Sequence, residues 1–109
     1  MKKEELFPGL IVEVRTDRPL VDGLNGYLVG GNTVSHLLAR NPFSDPSMTE
    51  FVLHQGDQIE VLHGPKRKQG INLVTVKNVQ TGETGQLFWC EFKANMVMPQ
   101  TLSSNLKFK

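Results

Sequence analysis

The chain has 109 residues, with 12 Lys and Arg against 11 Asp and Glu, a net charge of +1 and one cysteine. At this length a single domain, 1–109, is expected, able to enclose a hydrophobic core without a disulfide or a structural metal. A charge balance so close to zero excludes the decidedly basic surface of a non-specific nucleic-acid binder, and a lone Cys90 excludes an intramolecular disulfide.

Ten glycines and six prolines favour short strands joined by turns over long helices. No stretch reaches the roughly 18 apolar residues of a membrane span. The opening MKKEELFPG mixes charges of both signs and has no apolar segment, so the expectation is no membrane, no secretory signal and a cytoplasmic location. Cys90 sits in an apolar run and reads as a small buried hydrophobe.

Residues 1–7 form a charged lead-in with Phe7 as its anchor, and Pro8-Gly9 is a turn signal. LIVEVR, 10–15, alternates with period two, placing Leu10, Val12 and Val14 inward and Ile11, Glu13 and Arg15 outward. The loop TDRPLVDGLNG, 16–26, follows, with Asn25-Gly26 as a hairpin tip leading to Tyr27, Leu28 and Val29. Its Asp and Gly residues lack the alternating ligands and closing Glu of a calcium loop. Beyond Gly30-Gly31, Asn32 or Thr33 would cap a short helix, VSHLLAR, with Val34, Leu37 and Leu38 on one face. That helix is expected in an insertion near 32–41, ended by Asn41-Pro42.

NPFSDPSMTE, 41–50, is an irregular connection whose large apolar groups are Phe43 and Met48. They either pin the loop to the core or belong to a partner-binding surface. From 51 the pattern is regular: FVLH, the turn Gln55-Gly56-Asp57, then QIEVLH with Ile59 and Val61 inward. GPKRKQG reads as a loop and INLVTVKNV as a central strand with Val74 and Val76 in the core. QTGETG is a hairpin turn, and QLFWCEF reads as a strand with Phe88, Cys90 and Phe92 on one face. A turn at Lys93-Ala94-Asn95 and a short strand, MVM, complete a barrel core spanning 8–99, with a flexible tail over 100–109.

The segment 51–98 resembles the Src-homology-3-like small barrels. FVLHQGDQIEVL is similar to the diverging turn and second strand of a Src-homology-3 domain, and Thr81-Gly82-Glu83-Thr84-Gly85 to its distal hairpin. The resemblance implies a mainly all-β, Src-homology-3-like barrel, with 16–50 replacing the long loop after the first strand. It does not extend to the aromatic groove of the proline-motif readers: the first strand has Val14-Arg15-Thr16-Asp17, and Ile71-Asn72-Leu73 stands where a Trp opens the third.

GDQIEVLHGPKRKQG also resembles the opening of the KOW motifs of ribosomal proteins and transcription elongation factors, with Gly56, Asp57, Gly64, Lys66, Lys68 and Gly70 in place. The Lys-Gly pair of that motif is replaced here by Arg67-Lys68-Gln69. This resemblance implies association with nucleic acid or a nucleoprotein complex, in an accessory or regulatory role in transcription or translation.

Lys66, Arg67 and Lys68, with His63 beside them, are the candidate phosphate contacts. Trp89, together with Tyr27 or Phe88, is the candidate stacking surface for bases. The competing expectation is a protein-interaction or self-association module that uses sheet edges and Phe43, Met48 and Trp89. No short pair of metal ligands exists in the sequence; His36, His54, His63 and Cys90 would have to converge, so neither metal nor cofactor is expected. No serine elbow, Cys-His signature or paired carboxylates point to catalysis, and the basic loop lacks the Gly-Lys-Ser/Thr ending of a P-loop.

Overall fold

The alternation in LIVEVR becomes strand β1 (Ile11–Val14), in which Val12 and Val14 are completely buried. A computed structural model describes residues 3–22, 32–68 and 70–99, with the backbone alone described at 3, 22, 32 and 68. The Asn25-Gly26 turn, Tyr27 and the tail from 100 onward lie outside the described residues.

The fold is mainly β, as expected, and its sheets are antiparallel. In chain order, β2 (Leu20–Asp22) pairs with β3 (Asn32–Val34), and β4 (His36–Ala39) pairs with β5 (Phe51–His54). The main sheet contains β6 (Gln58–Lys68), β7 (Ile71–Asn78), β8 (Thr84–Phe88) and β9 (Met96–Val97), ordered β8-β7-β6-β1-β9. It does not close into the expected barrel, since among the described residues no ladder joins β8 to β9.

Inward positions follow the two-residue period: Ile59 and Val61 on β6 and Val74 and Val76 on β7 are fully buried. They meet Leu20, Leu37, Leu53, Leu87 and Phe92 in one core. Gly56, at φ +92°, makes the turn between β5 and β6, and the Asp57 carboxylate accepts the His54 backbone N–H at 2.9 Å.

The helix is not where the sequence pattern puts it. Residues 32–34 and 36–39 are strands, and the helix, α1 (Trp89–Asn95), replaces the expected continuation of QLFWCEF. Val34, Leu37 and Leu38 fit one face of a helix, while Leu37 and Ala39 fit the alternation of a strand equally well. Pairing with Phe51–His54 selects the strand: Leu37 and Ala39 turn inward while His36 and Leu38 stay exposed.

In α1 the buried residues are Cys90, Glu91, Phe92 and Asn95. Glu91 receives a hydrogen bond from Arg40 Nη1 at 2.9 Å, and the Arg40 guanidinium lies 4.7 Å from the centre of the Phe88 ring. Asn95 is fully buried and binds both backbone groups of Val21, so α1 anchors β2. Cys90 is buried beside Leu73 and Phe88, as its apolar context implies.

Candidate functional site

GPKRKQG is not an open loop. β6 continues through Lys68, whose partner on β7 is Ile71, and Gly70, just before β7, has φ +82°. The basic residues therefore sit on a strand with a defined register: Lys66 faces Leu73, Arg67 faces Asn72 and Lys68 faces Ile71.

Two irregularities in that ladder determine where the side chains go. Val61 pairs with Val76 and His63 with Thr75, so one extra residue lies on β6 between them; another lies between His63↔Thr75 and Lys66↔Leu73. Each extra residue reverses the inside-outside alternation. The first turns His63 away from the core face of Val61, although the two are separated by an even step. The second returns Lys66 to the face of His63, although the step between them is odd. Gly64 and Pro65 occupy the second irregularity, where a strand tolerates a missing N–H donor.

His63 and Lys66 consequently line one groove of about 550 Å³, which Arg67 also borders. Its remaining walls are Met48 with Asp45 and Ser47, Leu62 on β6, Leu73 and Thr75 on β7, and Thr84 and Gln86 on β8. Gln86 Nε2 donates to Thr75 Oγ1 at 3.2 Å, which orders the polar wall. Neither Lys66 nor Arg67 forms an ion pair with a described residue, whereas Lys77 pairs with Glu60 at 3.5 Å and Arg40 with Glu91.

The wall contributed by 41–50 is held by its own hydrogen bonds. Asn41 Nδ2 donates to the Asp45 carbonyl at 2.8 Å, Asn41 Oδ1 accepts the Asp45 N–H at 2.9 Å, and Ser47 Oγ donates to Asp45 Oδ1 at 2.7 Å. The Thr49 N–H donates to the Thr84 carbonyl at 2.8 Å and ties the segment to β8. Phe43 packs against Leu73, Phe88 and Cys90, pinning the loop, while Met48 is half-buried in the groove.

Trp89 does not line this groove. It packs on the core at the start of α1, its ring stacked on Phe92 with centroids 6.0 Å apart. Phe43, Met48 and Trp89 thus lie in three settings: a small apolar cluster, the groove and the flank of α1. The side chain of Lys68 and all of Tyr27 lie outside the described residues. The groove residues Thr75, Thr84 and Gln86 carry no signal of their own in the sequence, because their placement depends on the register of β6, β7 and β8.

A second, more apolar groove of about 740 Å³ lies beside β9, lined by Phe7, Leu10, Met96, Val97 and Met98 with Glu4 and Glu5. Phe7 and Met98 are each more than half exposed there. Among the described residues no helix is long and apolar enough to cross a membrane. Compared with known protein families, curated proteins and solved structures, the chain has no match.

Proposed function

We propose that the protein is a non-enzymatic nucleic-acid-binding module of KOW-like character, an accessory in transcription or translation, holding the phosphate backbone of RNA or DNA along the groove of β6. The observation that carries this reading is the convergence of His63, Lys66 and Arg67 on one groove, with neither Lys66 nor Arg67 paired to a described carboxylate. A cation without a protein partner releases counterions when it meets a phosphate. Ser47, Thr75, Thr84 and Gln86 add hydroxyl and amide groups that suit sugar and phosphate oxygens, and Met48 and Leu62 offer apolar contact. Gly64, Lys66 and Gly70 stand at the positions that the resemblance assigns to the KOW loop.

Fluorescence anisotropy with short single-stranded RNA, single-stranded DNA and duplex DNA across a salt series tests the reading. Two cations correspond to a log K against log salt slope of roughly −1.4 to −1.8, and Lys66→Ala with Arg67→Ala should flatten it by about that amount. An absence of binding to all three at low salt would overturn it.

A second reading rests on a different observation. The apolar groove beside β9 adjoins a strand that, among the described residues, pairs with β1 alone. An extended segment of a protein partner could add to that edge, with binding insensitive to salt and to the Lys66 and Arg67 substitutions.

A further inference from the structure

Strands β4 and β5 pair with His36 directly opposite His54. Both strands alternate: Leu37, Ala39, Phe51 and Leu53 are buried, and His36, Leu38, Val52 and His54 are exposed. Side chains of directly opposed residues start about 4.5–5.5 Å apart at Cβ. The two imidazoles stand 6.2 Å apart, centre to centre, tilted at 46° and not stacked.

Each ring has a polar neighbour at the same nitrogen. His36 Nδ1 lies 3.2 Å from Ser35 Oγ, and His54 Nδ1 lies 3.8 Å from Asp57 Oδ2. Asp57 is itself held in place, since Oδ2 accepts the His54 backbone N–H. A partner hydrogen-bonded to one ring nitrogen orients an imidazole and leaves the other nitrogen free to ligate. Ser35 is within that reach of His36, whereas Asp57, at 3.8 Å from His54 Nδ1, supplies a nearby negative charge and not a hydrogen bond. Among the described residues neither Nε2 has a protein partner.

The geometry points to an open two-imidazole site for a first-row divalent transition ion, with His36 Nε2 and His54 Nε2 as the protein ligands and Ser35 and Asp57 as their supports. No three His, Cys, Asp or Glu side chains group as a closed metal centre among the described residues, so the remaining coordination positions belong to water or to a donor from outside the chain. Imidazole donors suit Zn²⁺, Ni²⁺ and Cu²⁺, with Cu²⁺ held most tightly, and do not suit Mg²⁺ or Ca²⁺. The site is separate from the groove of β6, whose histidine is His63. It therefore stands or falls independently of nucleic-acid binding.

The test is a Zn²⁺ titration of tag-free protein at neutral pH, followed by the imidazole ring proton resonances. The protein has three histidines, and exposed His63 serves as the internal control. His36 and His54 should shift together and saturate at one ion per chain, while His63 moves only at higher concentration. His36→Gln or His54→Gln should reduce binding to the level of His63; both side chains are exposed, so the backbone spectrum should persist outside the hairpin. Asp57→Asn keeps an acceptor for the His54 N–H and removes the nearby charge, and should weaken binding by about fivefold. Three imidazoles shifting in parallel, no shifts at all, or unchanged affinity in His36→Gln would each overturn the proposal.

Discussion

Replacing Asn95 with alanine should remove the tie that holds β2 to the end of α1. The Asn95 side chain is fully buried, and its Oδ1 accepts the Val21 N–H at 2.9 Å. Its Nδ2 donates to the Val21 carbonyl at 2.9 Å and to the Glu91 carbonyl at 2.8 Å. A typical hydrogen bond contributes about 1 kcal/mol net, and a buried group deprived of its partner costs about 1–3 kcal/mol. Three such bonds in a closed site set the expected loss at about 3 kcal/mol, out of a total of roughly 5–15 kcal/mol. The corresponding fall in melting temperature is about 12 °C or more for a domain of this size. Urea unfolding followed by Trp89 fluorescence measures it, since Trp89 sits at the start of the same helix. Asn95→Asp is the control. It keeps the acceptor for Val21 but turns a carboxylate toward the carbonyl oxygens of Val21 and Glu91. Its folded-state pKa is then raised, so its destabilisation at neutral pH should shrink as acid protonates the carboxyl and lets it donate. A loss below about 1 kcal/mol in Asn95→Ala would refute the reasoning, because it would mean that these bonds do not hold β2 in place.

Gly85→Ala should cost about 1–3 kcal/mol by thermal unfolding, because a Cβ there would lie 3.0 Å from Ala39 Cβ and 3.1 Å from the Ala39 carbonyl oxygen. The Arg40↔Gln86 bridge beside it, with both hydrogen bonds at 2.7 Å, leaves β4 little room to retreat. Phe92→Ala should cost about 3–5 kcal/mol, since the ring is fully buried, and should shift Trp89 emission to the red as its stacking partner disappears. The Asp17 carboxyl should titrate below its ordinary 3.8, held down first by the hydrogen bond from Arg15 Nε at 2.8 Å; carbon-detected titration should find it raised again in Arg15→Gln. Because its folded pKa is the lower one, any stability from this pair is present above the unfolded value and lost as pH falls through the folded value. Asp17 is exposed, so added salt should diminish that pH dependence.

The inward positions of β1, β6 and β7 and the turn at Gly56-Asp57 were legible because their signals are local. Val12 and Val14, Ile59 and Val61, and Val74 and Val76 each repeat at two residues, and all six are fully buried. The basic cluster was legible as composition, but its geometry was not. His63 and Lys66 share a groove because β6 carries extra residues relative to β7, and an irregular register belongs to two strands at once. The misplaced helix has the same origin. Residues 34–39 permit either period, whereas Phe88, Cys90 and Phe92 alternate and yet the last two lie in α1, so distant partners made the choice. Phe51–His54 drew 36–39 into a ladder, and Arg40, 51 residues before Glu91, met that buried carboxylate in α1.

The chain by itself thus determined a mainly β protein, the inward face of its central strands and the identity of its charged and imidazole side chains. The tertiary structure alone decided that His63, Lys66 and Arg67 share one groove and that His36 and His54 stand opposite each other. Periodicity is carried by neighbours along one strand, whereas juxtaposition depends on register between strands, which is set only when the core packs.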